Sequence, residues 1–396
     1  MGTGAASRAK SNCFVARVLT CIIRKEEFPT TSFGVTRGPR STVEQAAGPL
    51  HMWTVRGSSF SPILNRPGEP GCARAKSAGP LKERPLIPRR TLGKPNRAKT
   101  GNAESTEIHL VFRPPYDWQT IIRFYQSHPI PGVERVTGDS FERVFRLRET
   151  IGFFQVQAVV DKPRLKLRIA APDPKIVFEV VRRVRRMFDL DSDPILIAKC
   201  FAQVPVLSKL CERFPGLRLP RGWDPFETAI CSILGQLVSA AQRTNLVGQL
   251  VRGYGDEITH PVSGETTCLF PGPKVLAKSD LSEVRTTTAR REAIRDFSRR
   301  VLAGAISFSE AQDPAAFRKA LLDTKGLGSW SAEYISLRAI NDTDAFPKTD
   351  LILKRALELH PDLDLELIKP WRSYAAIYLW KEFAQTLSKR KKEKRI

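Results

Sequence analysis

Residue types able to do chemistry concentrate between Ala320 and Leu357, in ALLDTKGLGSWSAEYISLRAINDTDAFPKTDLILKRAL. Gly326 and Gly328 allow a tight turn between two helices and a close backbone approach, so amides at the second helix's N-terminus are free to hold a phosphate oxygen. The same pair would serve equally as a plain helix-connecting turn. A dinucleotide-binding reading is weaker, because no strand precedes these glycines and Ser331 stands where a third glycine would be needed. Asp350 comes directly before LILKRAL, where a helix N-cap belongs, and Asp is a preferred cap. Trp330 and Tyr334 are four apart and share a helix face, either as core aromatics or as an open stacking surface.

The rest of the composition says what such a site would meet. A formal charge of +23 and a pI near 10.0 suit a polyanionic partner, nucleic acid or an anionic membrane surface. No apolar run approaches the roughly 20 residues of a membrane span. The start has Arg8 and Lys10 before Cys13-Phe14-Val15-Ala16, but Arg17 interrupts any signal-like run. Seven cysteines without a C-x-x-C pair argue against a disulfide framework, a zinc ribbon or an iron–sulfur cluster, and imply a reducing compartment. The five histidines (His51, His109, His128, His260 and His360) show no paired metal-ligand spacing. No phosphate-binding Walker loop and no G-x-S-x-G nucleophile elbow occurs.

Three segments must position these residues. Residues 1–105 are rich in Gly, Pro, Ser, Arg and Lys without sustained period, and read as a basic, disordered extension. It is either a DNA-binding arm or an inert extension. Residues 106–190 alternate strand-like pieces (IHLVF, VFRLRET, FFQVQAVV, RLKLRIA) with the amphipathic stretches WQTIIRFYQSH and KIVFEVVRRVRRMF, which predicts an α+β domain. Residues 191–396 carry helical spacing throughout, several runs opening on an Asp or Ser cap, which predicts an all-α domain. The fold class expected is therefore α+β, a mixed domain followed by a helical one, with no internal repeat.

In this order of motifs the chain resembles the helix-hairpin-helix DNA glycosylases, and in particular the 3-methyladenine DNA glycosylase II family. The hairpin, aromatic and aspartate signature is met by Gly326, Gly328, Trp330, Tyr334 and Asp350. RPPYDW (Arg113 to Trp118), MFDLDSDP, ILGQLVSAA (Ile233 to Ala241) and KPWRSYA (Lys369 to Ala375) followed by Trp380 extend the likeness over about residues 107–385. The resemblance implies a TBP-like N-terminal domain ahead of a glycosylase domain, with DNA and a flipped base in a cleft between helical parts. It departs from the family at Lys325, where a proline is usual, and at Thr286, where a glycine turn is expected.

What the resemblance implies of function is specific. Asp350 becomes the catalytic carboxylate, because breaking an N-glycosidic bond develops oxocarbenium charge that a nearby anion stabilises while orienting water. Trp330, Tyr334 and Trp380 become the base pocket, holding electron-poor or cationic alkylated purines by stacking and cation–π attraction of about 1–2 kcal/mol. Lys325, Gly326, Gly328 and Ser331 become DNA contacts at the hairpin. Gln236 and Leu237 become the wedge and gap-filler of base flipping, although an amphipathic helix would by default bury Leu237. Bifunctional relatives carry a lysine at the position of Trp330, so no strand-cleaving step is expected. The partner is then double-stranded DNA carrying alkylated bases, bound by a monomer in the cytoplasm, or in the nucleus of a eukaryote. No cofactor is implied, beyond a monovalent cation that hairpin carbonyls hold in the family. The competing readings are a non-catalytic DNA-binding module in which Asp350 only caps a helix, and a bifunctional glycosylase/lyase for oxidised bases. A transcriptional or methyl-accepting fusion through the tail would need a Cys/His cluster that the tail lacks.

Overall fold

The computed structural model describes residues 96–100, 103–309 and 312–393. The extension expected to be disordered lies almost wholly outside them. Within it, however, Asn96–Thr100 forms β1 and pairs antiparallel with β2 (Ala103–Val111). A polar edge strand held by backbone hydrogen bonds has no apolar face to bury, so NRAKT carries no periodic signal.

Four further strands follow α1 (Trp118–Ser127), namely β3 (Glu134–Thr137), β4 (Ser140–Leu147), β5 (Thr150–Ala158) and β6 (Arg164–Ala170), and a separate short pair comes later. The main sheet has the order β1-β2-β6-β5-β4-β3 and is antiparallel at every pairing. Period-two alternation sends Leu165, Leu167 and Ile169 of β6 inward, each at most 1 % exposed, opposite Val156 and Phe154 of β5. α1 and α2 (Val177–Met187) close this face. Ile121, Ile122 and Tyr125 from α1 and Val180, Val181, Val184 and Met187 from α2 join the sheet core with Trp223. Asp117 caps α1 by accepting from the Thr120 amide at 2.9 Å.

The helical part contains α3 (Pro194–Phe201), α4 (Pro205–Arg213), α5 (Pro225–Gly235), α6 (Ala240–Tyr254), α7 (Pro273–Lys278), α8 (Thr288–Leu302), α9 (Pro314–Leu322), α10 (Ser329–Ala339), α11 (Leu351–Leu359) and α12 (Arg372–Glu393). The expected all-α domain is interrupted by the hairpin β7 (Glu257–Thr259) and β8 (Thr266–Cys268), too short to show a strand period. Side chains of Asp193, Asp224, Ser239, Thr287 and Asp313 cap α3, α5, α6, α8 and α9. Two cores result. One gathers α5 through α9, and the other gathers α3, α4, α11 and α12. α10 belongs to both, giving Ala332 and Ile335 to the first and Leu337 to the second. Any group on its open face therefore stands between the two helical parts.

Sheet and helices are locked together by buried charge. Asp189 accepts from Arg221 at 2.9 Å, from the Leu219 amide at 3.0 Å and from the Tyr374 hydroxyl at 2.9 and 3.0 Å. Arg143 of β4 bonds both Glu134 and Glu227 of α5.

Candidate active site

The turn between α9 and α10 is built around Gly326, whose φ of +85° is open to glycine and strained for a side chain. A Cβ there would also meet the Ala293 methyl at 3.0 Å. Gly328 has a different use. It is the N-cap of α10, a Cβ on it would meet nothing within 4 Å, and no side chain bonds the helix's first amides. Those amides and exposed Lys325 leave room for an incoming phosphate. Ser331, expected beside them as a DNA contact, is instead buried at 3 % exposure, its hydroxyl accepting from Gln236 Nε2 at 2.8 Å.

Asp350 is both a cap and the centre of the aromatic cluster. Its Oδ1 accepts from the amides of Ile352 (3.0 Å) and Leu353 (3.2 Å) at the start of α11, and from the Trp380 indole N–H at 3.0 Å. Its Oδ2 accepts from the Trp330 indole N–H at 3.1 Å. Four N–H groups thus fix the carboxylate, yet among the described residues it has no ion-pair partner. Trp330 stacks on Tyr334 at 4.9 Å and 11°, and Tyr334 meets Trp380 edge-on at 6.3 Å and 61°. All three rings are half-buried, and a fully packed core would have covered them. The structure therefore brings together Asp350, Trp330, Tyr334 and Trp380 from three elements, α10, α11 and α12.

Gln236, from the other helical part, bonds the hairpin at Gly326 and Ser331, and Leu237 follows it. ILGQLVSAA is not one helix: α5 ends at Gly235, and α6 begins at Ala240. Between them Leu237 adopts a φ of +54°, rare for a side-chain-bearing residue, and is 81 % exposed. The turn is pinned from three sides. Gln236 Nε2 also donates to the Gly326 carbonyl at 3.1 Å, and Arg290 donates to the Gln236 carbonyl at 2.5 Å and to the Thr286 hydroxyl at 2.8 Å. Thr286, the departure from the family pattern, thus orients the arginine that holds the turn.

Sequence reasoning missed several neighbours of the cluster. Arg338 lies over Tyr334 and Trp380, and Phe124 arrives from α1 in the sheet domain. His128 stacks on Phe124 at 4.6 Å. Burial, with Arg243 and Arg338 nearby, lowers its pKa to about 3 and keeps it neutral. Arg338 was readable, since it continues the 330, 334 interval by four; Phe124 was not, because only tertiary packing brings it here. Among the described residues no group of three His, Cys, Asp or Glu could hold a metal.

A sheet-plus-helix domain followed by two helical cores meeting at a glycine hairpin, with an aspartate one helix later, defines the fold of the helix-hairpin-helix DNA glycosylases. Residues 107–224 match the AlkA N-terminal domain. It is 29% identical over 278 residues to DNA-3-methyladenine glycosylase 2 of Escherichia coli, covering 68% of this chain and 95% of that one. It is 30% identical over 293 residues to a probable bifunctional transcriptional activator/DNA repair enzyme AlkA of Mycobacterium tuberculosis. That match covers 71% of this chain and 58% of the relative, so the chain spans little more than half of that protein's length. The solved 3-methyladenine DNA-glycosylase of Archaeoglobus fulgidus shares the fold at 18% identity and a TM-score of 0.57, over 68% of this chain and 96% of that one.

Proposed function

We propose that this chain is a monofunctional DNA glycosylase that hydrolyses the N-glycosidic bond of alkylated purines, 3-methyladenine and 7-methylguanine among them, after flipping the base out of duplex DNA. The observation that carries this reading is the Asp350 carboxylate, fixed by two indole and two amide N–H groups, without an ion-pair partner among the described residues, beside three half-open rings. A cap alone needs only the two amides. The indoles turn the acid toward the aromatic pocket, so a base among the rings would put its sugar next to the carboxylate.

Leu237, exposed on a strained turn, would enter the stack vacated by the flipped base, a step costing a few kcal/mol. The hairpin amides and Lys325 would hold backbone phosphate. The oxocarbenium forming at the sugar is stabilised by Asp350, which also orients the attacking water. An alkylated purine leaves readily, so no strong general acid is required. The relatives named as a DNA-3-methyladenine glycosylase and a DNA repair enzyme support this substrate class. Trp330 stands where a Schiff-base lysine would be needed, which supports hydrolysis without strand cleavage. In this reading the enzyme acts as a monomer without a cofactor; a monovalent cation on the hairpin carbonyls would serve only to anchor DNA.

The test is to incubate the purified chain with methylated duplex DNA and analyse both products. Free methylated purine, strands intact before alkali and no borohydride-trapped complex are expected. No free base, or nicked strands with a trapped complex, would overturn the reading.

A further inference from the structure

Trp330, Tyr334 and Arg338 follow one another at intervals of four along α10 and form a ladder on one helix face. With Trp330 stacked on Tyr334 at 4.9 Å, the Arg338 guanidinium carbon lies 5.5 Å from the Tyr334 ring centre, 5.7 Å from that of Trp380 and 4.5 Å from that of Phe124. The residue is 6 % exposed. Its Nη1 donates to the Pro220 carbonyl at 2.8 Å, its Nε has no hydrogen-bond partner, and no carboxylate pairs with it among the described residues. A guanidinium does not deprotonate in a protein. A permanent, uncompensated positive charge therefore stands behind the rings, while the uncompensated Asp350 carboxylate touches the indoles of Trp330 and Trp380. The two charges give the site an electrical direction, from Arg338 to Asp350.

We infer that Arg338 acts through the rings to promote departure of the base, and that it sets the balance between cationic and uncharged lesions. The inference rests on the glycosylase reading above. When the bond between C1′ and the purine nitrogen breaks, the electron pair stays with the base and positive charge develops on the sugar. Water then adds its hydroxide to C1′. For a cationic lesion the base leaves neutral and the water's proton passes to solvent, so positive charge moves away from Arg338 toward Asp350. For an uncharged lesion the base departs with negative charge, which Arg338 stabilises until the base takes up that proton. Arg338 thus speeds both reactions but weakens binding of the cationic base alone. A base stacked on Trp380 lies within about 10 Å of the guanidinium. At an effective dielectric near 20 that separation corresponds to an effect on the order of tenfold.

The experiment compares the full chain with Arg338→Gln, which keeps a donor for the Pro220 carbonyl without the charge, and Arg338→Lys, which keeps the charge. Each is given duplexes carrying a single 7-methylguanine, cationic, or a single hypoxanthine, uncharged. Single-turnover release is measured directly, and affinity for each lesion is measured in an Asp350→Asn background. Arg338→Gln should slow release of both bases on the order of tenfold, tighten binding of 7-methylguanine DNA by a similar factor and leave affinity for hypoxanthine DNA unchanged. Arg338→Lys should stay near the parent. Parallel loss of rate and affinity on both duplexes, or Lys behaving like Gln, would reduce Arg338 to a packing role and overturn the inference while leaving the glycosylase reading intact. Absence of base release by the parent chain from both duplexes would overturn both, and release of 7-methylguanine without release of hypoxanthine would overturn this inference alone.

Discussion

Two aspartates of this chain are each held by several donors and are put to opposite uses. Asp189 is 5 % exposed, and its charge is met by Arg221 at 2.9 Å together with the Tyr374 hydroxyl and the Leu219 amide. Asp350 is half-buried and bonded by neutral N–H groups alone. The first carboxylate's field is cancelled within the protein and ties the sheet domain to α12. The second is held as firmly in direction, but its field remains for whatever positive charge comes beside it. Being a cap and being a catalyst are therefore compatible. Neutral donors orient the carboxylate without neutralising it.

Removing the buried charge should have the largest consequence for folding. Asp189→Asn leaves Arg221 buried without its counter-ion and should cost about 3–5 kcal/mol of stability, read as a lowered denaturant midpoint. The folded fraction should release base at the parent rate; a rate loss without a stability loss would place Asp189 in the chemistry and erase the contrast. A smaller effect sharpens the comparison at the other aspartate. Trp380→Phe keeps an aromatic wall but removes the indole donor to Oδ1, so single-turnover release should fall about tenfold, the order of one charge-assisted hydrogen bond. An unchanged rate would mean that Trp330 and the α11 amides orient Asp350 unaided.

The smallest effect concerns the neutral imidazole behind the pocket. His128 titrates near 3 in the folded chain, against about 6.5 unfolded, so the unfolded chain binds more protons between those values. Its contribution is complete above about pH 6.5 and is lost as pH falls toward 3, at no more than about 1.4 kcal/mol per pH unit. His128→Phe should flatten stability against pH in that window. An unaltered profile would show that other groups set the acid limit.

How much could be read from sequence follows the same physical divide. The main sheet was legible because β4, β5 and β6 each bury one face, and period-two alternation reports burial directly. NRAKT is almost wholly polar in sequence and the β7–β8 strands are three residues each, so neither left a periodic signal. In the site, Trp330 and Tyr334 were legible as neighbours from their interval alone. Asp350 was legible as a cap, but its second role was implied by family resemblance, since no local pattern reports two indoles converging from α10 and α12. Leu237 shows the limit most clearly. Helical periodicity would bury it, whereas a left-handed backbone at that one residue breaks the helix and exposes it. Gly326 and Arg290 hold that conformation through Gln236, from 90 and 54 residues along the chain, a distance that no sequence window spans.

If the charge of Asp350, more than its cap, makes this site work, Asp350→Asn should abolish the chemistry and spare the helix. Asparagine keeps an oxygen for the Ile352 and Leu353 amides and so preserves the start of α11. Single-turnover release of 7-methylguanine and binding to abasic-site DNA are measured on the same preparation. Release should fall by about two orders of magnitude or more, with binding close to that of the parent. Release at the parent rate would contradict it and leave Asp350 as a helix cap.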